Sequence, residues 1–258
     1  MELKANAFKR GLREGKLQIG LWSSLCSPIV AEMIGNAGFD WVLLDTEHAP
    51  NEIPTLLVQM QAMALGTAEP VVRVAWNDMV LLKRALDIGA MSVLIPFVQD
   101  ADEARRAVAA TRYPPQGIRG FASAPRASKF GRLKDYHRRA NEEIAVLVQA
   151  ESRRALANIP EIAKVDGVDG IFVGPADLAA DLGHLGNPAH PDVQAAIKSA
   201  GAAIRAGGKA AGILTPVEAE ARRYIEWGYN FVAVGADNGI LARGAEALAA
   251  KFKSEERR

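Results

Sequence analysis

The chain has 258 residues, 31 of them basic and 30 acidic, for a formal charge of +1 at neutral pH. Such a balance provides no general field to hold a polyanion, so nucleic acid is not an expected partner. A lone cysteine, Cys26, cannot close an internal disulfide and reads as a small buried residue, and even the apolar run "AMSVLIPFV" falls well short of the roughly 20 residues that span a bilayer.

The N-terminus, "MELKANAFKRGLREGK", is charged and amphipathic without the apolar core of a signal peptide, and reads as a short helix opening a cytoplasmic protein. Strands are then predicted at "LQIGLWS", "DWVLLD", "PVVRVA", "AMSVLIP", "IAVLVQA", "DGIFVG", "KAAGIL" and "NFVAVGA". Between them, "PIVAEMIGNAG", "NEIPTLLVQMQAMALG", "DMVLLKRALDIG", "DADEARRAVAATR" and "TPVEAEARRYIEWG" carry apolar residues at helical spacing. Strands apolar on both faces, alternating with helices, indicate a parallel sheet covered by helices. Eight such units predict a closed (β/α)8 barrel of the TIM type, in the α/β class, as one domain over 1–258. A weak repeat, "GFDWVLLD", "GAMSVLIP", "GVDGIFVG" and "GYNFVAVG", places Gly38, Gly89, Gly167 and Gly228 after helices, where positive φ is expected. The longest irregular stretch, 113–136, is predicted to cover or wall the site, since long loops usually serve a function.

Active sites of such barrels form at the C-terminal ends of the strands. The second predicted strand ends in "WVLLDTEHAP", where Asp45, Glu47 and His48 would each lose hydration if buried alone, so this end faces water or a site. His48 is the natural proton carrier, with Asp45 to orient it; the plainer reading is a satisfied structural histidine. Arg73, inside an apolar strand, should face an anion: a substrate carboxylate or enolate oxygen is preferred over a structural pair with Asp45 or Glu47. Asp87, just before Gly89, either supports a site residue from behind or ends a helix in water. Gln149 and Glu151 end the fifth strand and Asp177 follows the sixth. Glu151 and Asp177, carboxylates from adjacent strands, suit a hard divalent cation such as Mg²⁺ or Mn²⁺. Each also has a plainer reading as an acid at a helix N-terminus. In "GPAD", Pro175 after Gly174 leaves the amides of Ala176 and Asp177 pointing outward for a substrate carboxylate, or makes an ordinary turn. Trp22 ends the first strand and caps a pocket or belongs to the core. His137, His184 and His190 have no acid partner at a strand end. No lysine ends a strand; Lys209 begins the seventh, at the opposite face, so a metal route is preferred over a Schiff base.

Taken together, "DWVLLDTEHAPN", "VVRVAWND", "LDIGAMSVLIP", "VQAES" and "GIFVGPADLAADLG" resemble the HpcH/HpaI family of metal-dependent (class II) pyruvate aldolases, from about Gly20 to about Gly244. The resemblance implies that Glu151 and Asp177 bind the metal (Mg²⁺, Mn²⁺ or Co²⁺) and that Gly174, Pro175, Ala176 and Asp177 cradle the pyruvate carboxylate. It places Arg73 at the keto or enolate oxygen with Gln149 nearby, and His48, supported by Asp45, at the second substrate's carbonyl. Asp87 would reach the His48 region across a subunit contact, and Trp22 and Leu214 would line the pocket. The last helix would be exchanged between partners in a homo-oligomer, a trimer of dimers. Thr46 stands where relatives often carry glycine, and "GFASAPRASKFGRL" departs from the "SALARAS" type, which puts the divergence at the acceptor pocket. The expected reaction is reversible aldol addition of pyruvate, or a 2-oxo acid such as hydroxypyruvate, to an aldehyde through a metal-stabilised enolate. Its rivals are oxaloacetate decarboxylation, acyl-CoA cleavage and binding of a 2-oxo acid without turnover.

Overall fold

The apolar runs become strands because each is buried on both faces: β1 (Gln18–Ser23), β2 (Trp41–Asp45), β3 (Glu69–Arg73), β4 (Ser92–Ile95), β5 (Ala145–Ala150), β6 (Gly170–Val173), β7 (Ala210–Leu214) and β8 (Phe231–Ala236). In the computed structural model residues 2–255 are described; Met1 and 256–258, the ends of the expected domain, lie outside the described residues. Among the described residues the strands pair in parallel, each with the next, and β8 returns to β1 to close the barrel. The expected (β/α)8 form is thus observed.

Helices α1 (Ala7–Arg13), α2 (Pro28–Gly35), α3 (Ile53–Met63), α4 (Met79–Asp87) and α5 (Ala101–Thr111) precede the midpoint of the chain. They are followed by α6 (Tyr136–Glu143), α7 (Arg153–Ala157), α8 (Ile159–Ala163), α9 (Pro175–Asp181), α10 (Pro191–Ala206), α11 (Glu218–Glu226) and α12 (Asp237–Glu255). Of these, α6 to α8 and α10 are not among the helical segments read from the sequence. Gly38, Gly89, Gly167 and Gly228 all take φ between +90° and +106°, as the repeat predicts. Cys26 is half-buried, not buried, and has φ of +54°.

Period-2 alternation divides each strand between two cores. On β2, Val42 and Leu44 face the outer helices, whereas Trp41 and Leu43 join Val71, Leu147, Phe172 and Phe231 inside the barrel. The N-terminal helix closes the lower end. Asn6 caps α1 by accepting from the Lys9 amide at 2.9 Å, and its own amide group donates to Met91 O at 2.8 Å and Ser92 Oγ at 2.9 Å. Phe8 and Leu12 are thereby driven into the barrel mouth, each stabilising it by about 1.5–3 kcal/mol. Lys9 is buried there with partners, 3.3 Å from Asp169 Oδ2 and donating to Ile144 O at 2.6 Å.

The loop 113–136 corrects an expectation. Because α5 carries the chain back to the lower end, this loop lies opposite the C-terminal strand ends and cannot wall the site of its own barrel. It clamps the end of α4 instead. Arg119, buried, donates to Asp87 Oδ1 at 2.8 Å and lies 4.4 Å over the Tyr113 ring, while Arg126 donates to the Ile88 carbonyl.

Helix α12 exposes Ile240 and Leu241 on its first turns, and Leu248 and Phe252 farther along. A groove of about 790 Å³ opens along the outer face of β8 and β1, lined by Leu21, Phe39, Pro216 and Val234 as well as the start of α12.

Candidate active site

The abrupt end of β2 has a local cause. Asp45 Oδ1 accepts from the amides of Glu47, at 3.0 Å, and His48, at 3.4 Å, a turn that stops the strand and aims both side chains over the rim. Register does the rest: Asp45 lies beside Arg73 on β3. Arg73 Nε and Nη2 donate to the two Asp45 oxygens at 2.9 and 2.6 Å, and Trp22 Nε1 donates to Oδ2 at 3.2 Å. Burial alone would raise the Asp45 carboxyl, but the Arg73 guanidinium, with the Glu47 amide and the Trp22 indole, brings it below its ordinary value.

Two expectations change here. Arg73 takes the structural pair that was the less favoured reading, and takes it with both acids, since its Nη1 lies 2.8 Å from Glu47 Oε2. Asp45 does not orient the His48 ring, because its oxygens are taken by Arg73, Trp22 and two backbone amides. The His48 side chain is 65% exposed, and its acid neighbour is Glu47, at 3.9 Å.

Across the rim, Glu151 is buried at the end of β5 and held on both oxygens. Phe97 N donates to Oε1 at 2.9 Å, and Gln149 Nε2 donates to Oε2. Gly174 permits this closeness, because a Cβ there would lie 2.3 Å from Glu151 Oε2. Asp177 is the third residue of α9, exposed, after Pro175 at the first helical position. Burial, followed by the charge of Asp177, pushes the Glu151 carboxyl up to about 7. Burial likewise pushes Glu47 up to about 7, with Asp45 and Asp177 adding to it and Arg73 opposing it.

Thus Glu47, Glu151 and Asp177 act on one another at one rim. Glu47 belongs with this group, although the sequence offers it only as a rim acid and a candidate partner of Arg73; the signal is its place two residues beyond Asp45. The donor set fits a hard divalent cation. It is all oxygen, burial holds the carboxyls of Glu47 and Glu151 above their ordinary values so that a bound cation would favour their ionised forms, and Gln149 Oε1 is buried without a hydrogen-bond donor.

The remaining candidates sit as follows. Trp22 is buried, with Arg73 4.8 Å over its ring, so it forms the floor of the site as well as core. Leu214, half-buried, ends β7 against the same inner column. Asp87 is at the lower end of α4, away from His48 of its own chain. Lys209 lies below β7, where Nζ donates to Val168 O at 2.7 Å. His184 and His190 stack 3.4 Å apart beside Asp192 before α10, and His137 packs among Tyr113, Phe121 and Tyr136.

Residues 18–244 match the model of the HpcH/HpaI aldolase/citrate lyase family. A 4-hydroxy-2-oxo-heptane-1,7-dioate aldolase of Klebsiella pneumoniae is 59% identical over 248 residues, covering 96% of this chain and 94% of that protein. One of the same name from Salmonella typhi is 58% identical over 253 residues, 98% and 96% of the two chains. Among solved structures, an HpcH/HpaI aldolase/citrate lyase family protein from Burkholderia cenocepacia superposes with a TM-score of 0.93 at 43% identity, covering 96% of this chain and 99% of that one. The citrate synthase SbnG gives 0.86 at 28% identity, covering 97% and 98%. The chain therefore belongs to the HpcH/HpaI aldolase/citrate lyase family.

Proposed function

We propose that the protein is a metal-dependent aldolase that joins pyruvate, or a close 2-oxo acid such as hydroxypyruvate, to an aldehyde and cleaves the adduct in reverse. The observation that carries this is the meeting of Glu47, Glu151 and Asp177 with Arg73 at one strand rim, in a chain so similar to named aldolases. Glu151 and Asp177 hold the divalent cation, Mg²⁺ or Mn²⁺, with Glu47 beside them. When bound, the cation supplies Lewis acidity at the ketone oxygen of the 2-oxo acid.

The chain's own groups do the rest. The turn Gly174–Pro175 presents the amides of Ala176 and Asp177 to the substrate carboxylate. Arg73, fixed by Asp45, adds positive charge where the enolate oxygen develops, and because its partners are already in place no reorganisation is needed at that moment. Gln149 steadies Glu151, while Trp22 and Leu214 bound the pocket. His48, on the open side of the rim, carries a proton to and from the oxygen derived from the aldehyde.

For assembly, we place the exposed side of α12 in the groove of a second copy, which would cover Ile240, Leu241, Leu248 and Phe252 and fill the outer face of β8 and β1. In such a homo-oligomer, with a trimer of dimers as the form we favour, Asp87 comes from a neighbouring subunit, carried by the Arg119 clamp towards His48.

The test is deuterium uptake at C3 of pyruvate in D₂O, followed by NMR, on protein stripped of metal and then resupplied with Mg²⁺ or Mn²⁺. Exchange that needs metal, and is lost in Glu151→Ala and Asp177→Ala, is the expected result. Pyruvate bound without exchange under either metal would overturn the proposal. The adduct 4-hydroxy-2-oxo-heptane-1,7-dioate, named for the relatives, is the first to try for cleavage.

A further inference from the structure

Phe97 lies two residues beyond β4 with φ of +54°, a left-handed conformation that a bulky side chain rarely adopts. In extended backbone successive amides point to opposite sides, whereas a helical turn of either hand points them the same way. At Phe97, with its positive φ, two consecutive amides both reach the end of β5. Phe97 N donates to Glu151 Oε1 at 2.9 Å, and Val98 N donates to Gln149 O at 3.0 Å. The Phe97 ring then stacks on Trp76, with centroids 5.9 Å apart and planes 26° apart.

Strained backbone persists where its surroundings hold it, and it concentrates at functional sites. Here the strained residue supplies a donor to a carboxylate assigned to the cation. Together with Gln149 on the other oxygen, it leaves Glu151 little freedom to rotate.

We infer that Phe97 is a positioning residue for the metal centre: its left-handed backbone fixes the Glu151 carboxylate in the orientation that binds a divalent cation. This rests on the reading that Glu151 and Asp177 hold that cation. The strain is then part of the site: the positive φ is what matters at this position, and in wild type the ring stacked on Trp76 holds it against its cost.

The test is Mn²⁺ affinity, read from the electron paramagnetic resonance signal of free Mn²⁺, in wild type, Phe97→Val, Phe97→Gly, Phe97→Asn and Phe97→Ala, with folding checked by circular dichroism. Valine, β-branched, resists the left-handed region, so Phe97→Val should weaken Mn²⁺ binding by about 10- to 100-fold, the range seen when groups that orient metal ligands are lost. Phe97→Gly and Phe97→Asn lack the ring but enter that region readily, and should stay close to wild type. Phe97→Ala differs from Phe97→Gly only by the penalised Cβ and should bind more weakly than it; this pair decides the matter if valine prevents folding. Equal affinity in all variants, or equal loss in glycine and valine, would overturn the inference while wild-type binding leaves the metal reading intact. A wild type that binds no Mn²⁺ would remove both.

Discussion

The carboxylate of Glu151 should make the metal-free protein less stable as pH rises. Its pKa in the fold, about 7, lies above its ordinary value of 4.5, mainly because it is buried and secondly because Asp177 repels its charge. A raised carboxyl pKa means that the folded chain binds its proton more tightly than the unfolded chain does. Below 4.5 both states hold the proton and nothing is lost; between 4.5 and 7 stability falls with rising pH; above 7 the full penalty is present. Displacement from 4.5 to about 7 corresponds to about 3 kcal/mol. Glu151→Gln keeps the shape and one of the two hydrogen-bond acceptors but has no charge to bury. In denaturant unfolding of chelator-treated protein, wild type should therefore lose about 2.5 kcal/mol more than Glu151→Gln between pH 5 and pH 8. Excess Mn²⁺ should reverse the trend for wild type alone, because the cation binds the ionised carboxylates and competes with protons for them. If wild type and variant show the same pH dependence without metal, the buried-carboxyl reasoning is wrong. If Mn²⁺ stabilises both equally, Glu151 does not hold it.

Replacing Arg73 by lysine keeps the charge but breaks the two-point pairing with Asp45, and should lower kcat for pyruvate exchange by about 10²- to 10³-fold while circular dichroism is unchanged. Arg73→Ala leaves Asp45 buried and unpaired, and should cost about 3–5 kcal/mol in denaturant unfolding. His48 presents the opposite profile: its exposed ring predicts that His48→Gln changes stability by less than about 0.5 kcal/mol. Aldol cleavage should nonetheless fall by about 10²- to 10⁴-fold, as for loss of a proton-transfer group. Finally, Leu248→Glu with Phe252→Glu should dissociate the proposed assembly to monomers in light scattering, since both side chains lie on the free stretch of α12; an unchanged mass would refute helix exchange.

The barrel and the rim were legible because the two signals do not compete. Runs such as "WVLLD" and "DGIFVG" are apolar on both faces, and a carboxylate at the end of such a run has nowhere to go but the rim. Partner choice was not legible. Asp45 and Glu47 look alike by type, and only the register that sets Asp45 beside Arg73 gives Asp45 the two-point pairing and leaves Glu47 a single contact with Arg73, on the side where it also meets the charge of Asp177. The side of the barrel on which 113–136 lies could have been read from the alternation, since a chain leaving a helix to enter a strand is at the lower end. Helix α10 was missed because "PDVQAAIKSAGAAIRA" is rich in alanine, which blurs the contrast between its faces. Nothing in "IPFVQ" announces the left-handed backbone of Phe97; that follows from two amides reaching the same neighbouring strand.

The rings inside the barrel form an unbroken column. Phe8 of the N-terminal helix meets Phe231 at 6.1 Å, Phe231 meets Phe172 at 5.9 Å, Phe172 meets Trp22 at 5.6 Å, and Arg73 rests 4.8 Å over Trp22. Close-packed interiors yield little under load. The guanidinium thus stands on a pillar whose foot is a helix at the far end of the molecule, whereas His48 and Trp76 hang on rim loops that bear none of that weight. Under the proposed function, changes in those loops would revise which aldehyde is accepted while the pillar keeps Arg73 in place, a division of labour that would let one chemistry serve many acceptors.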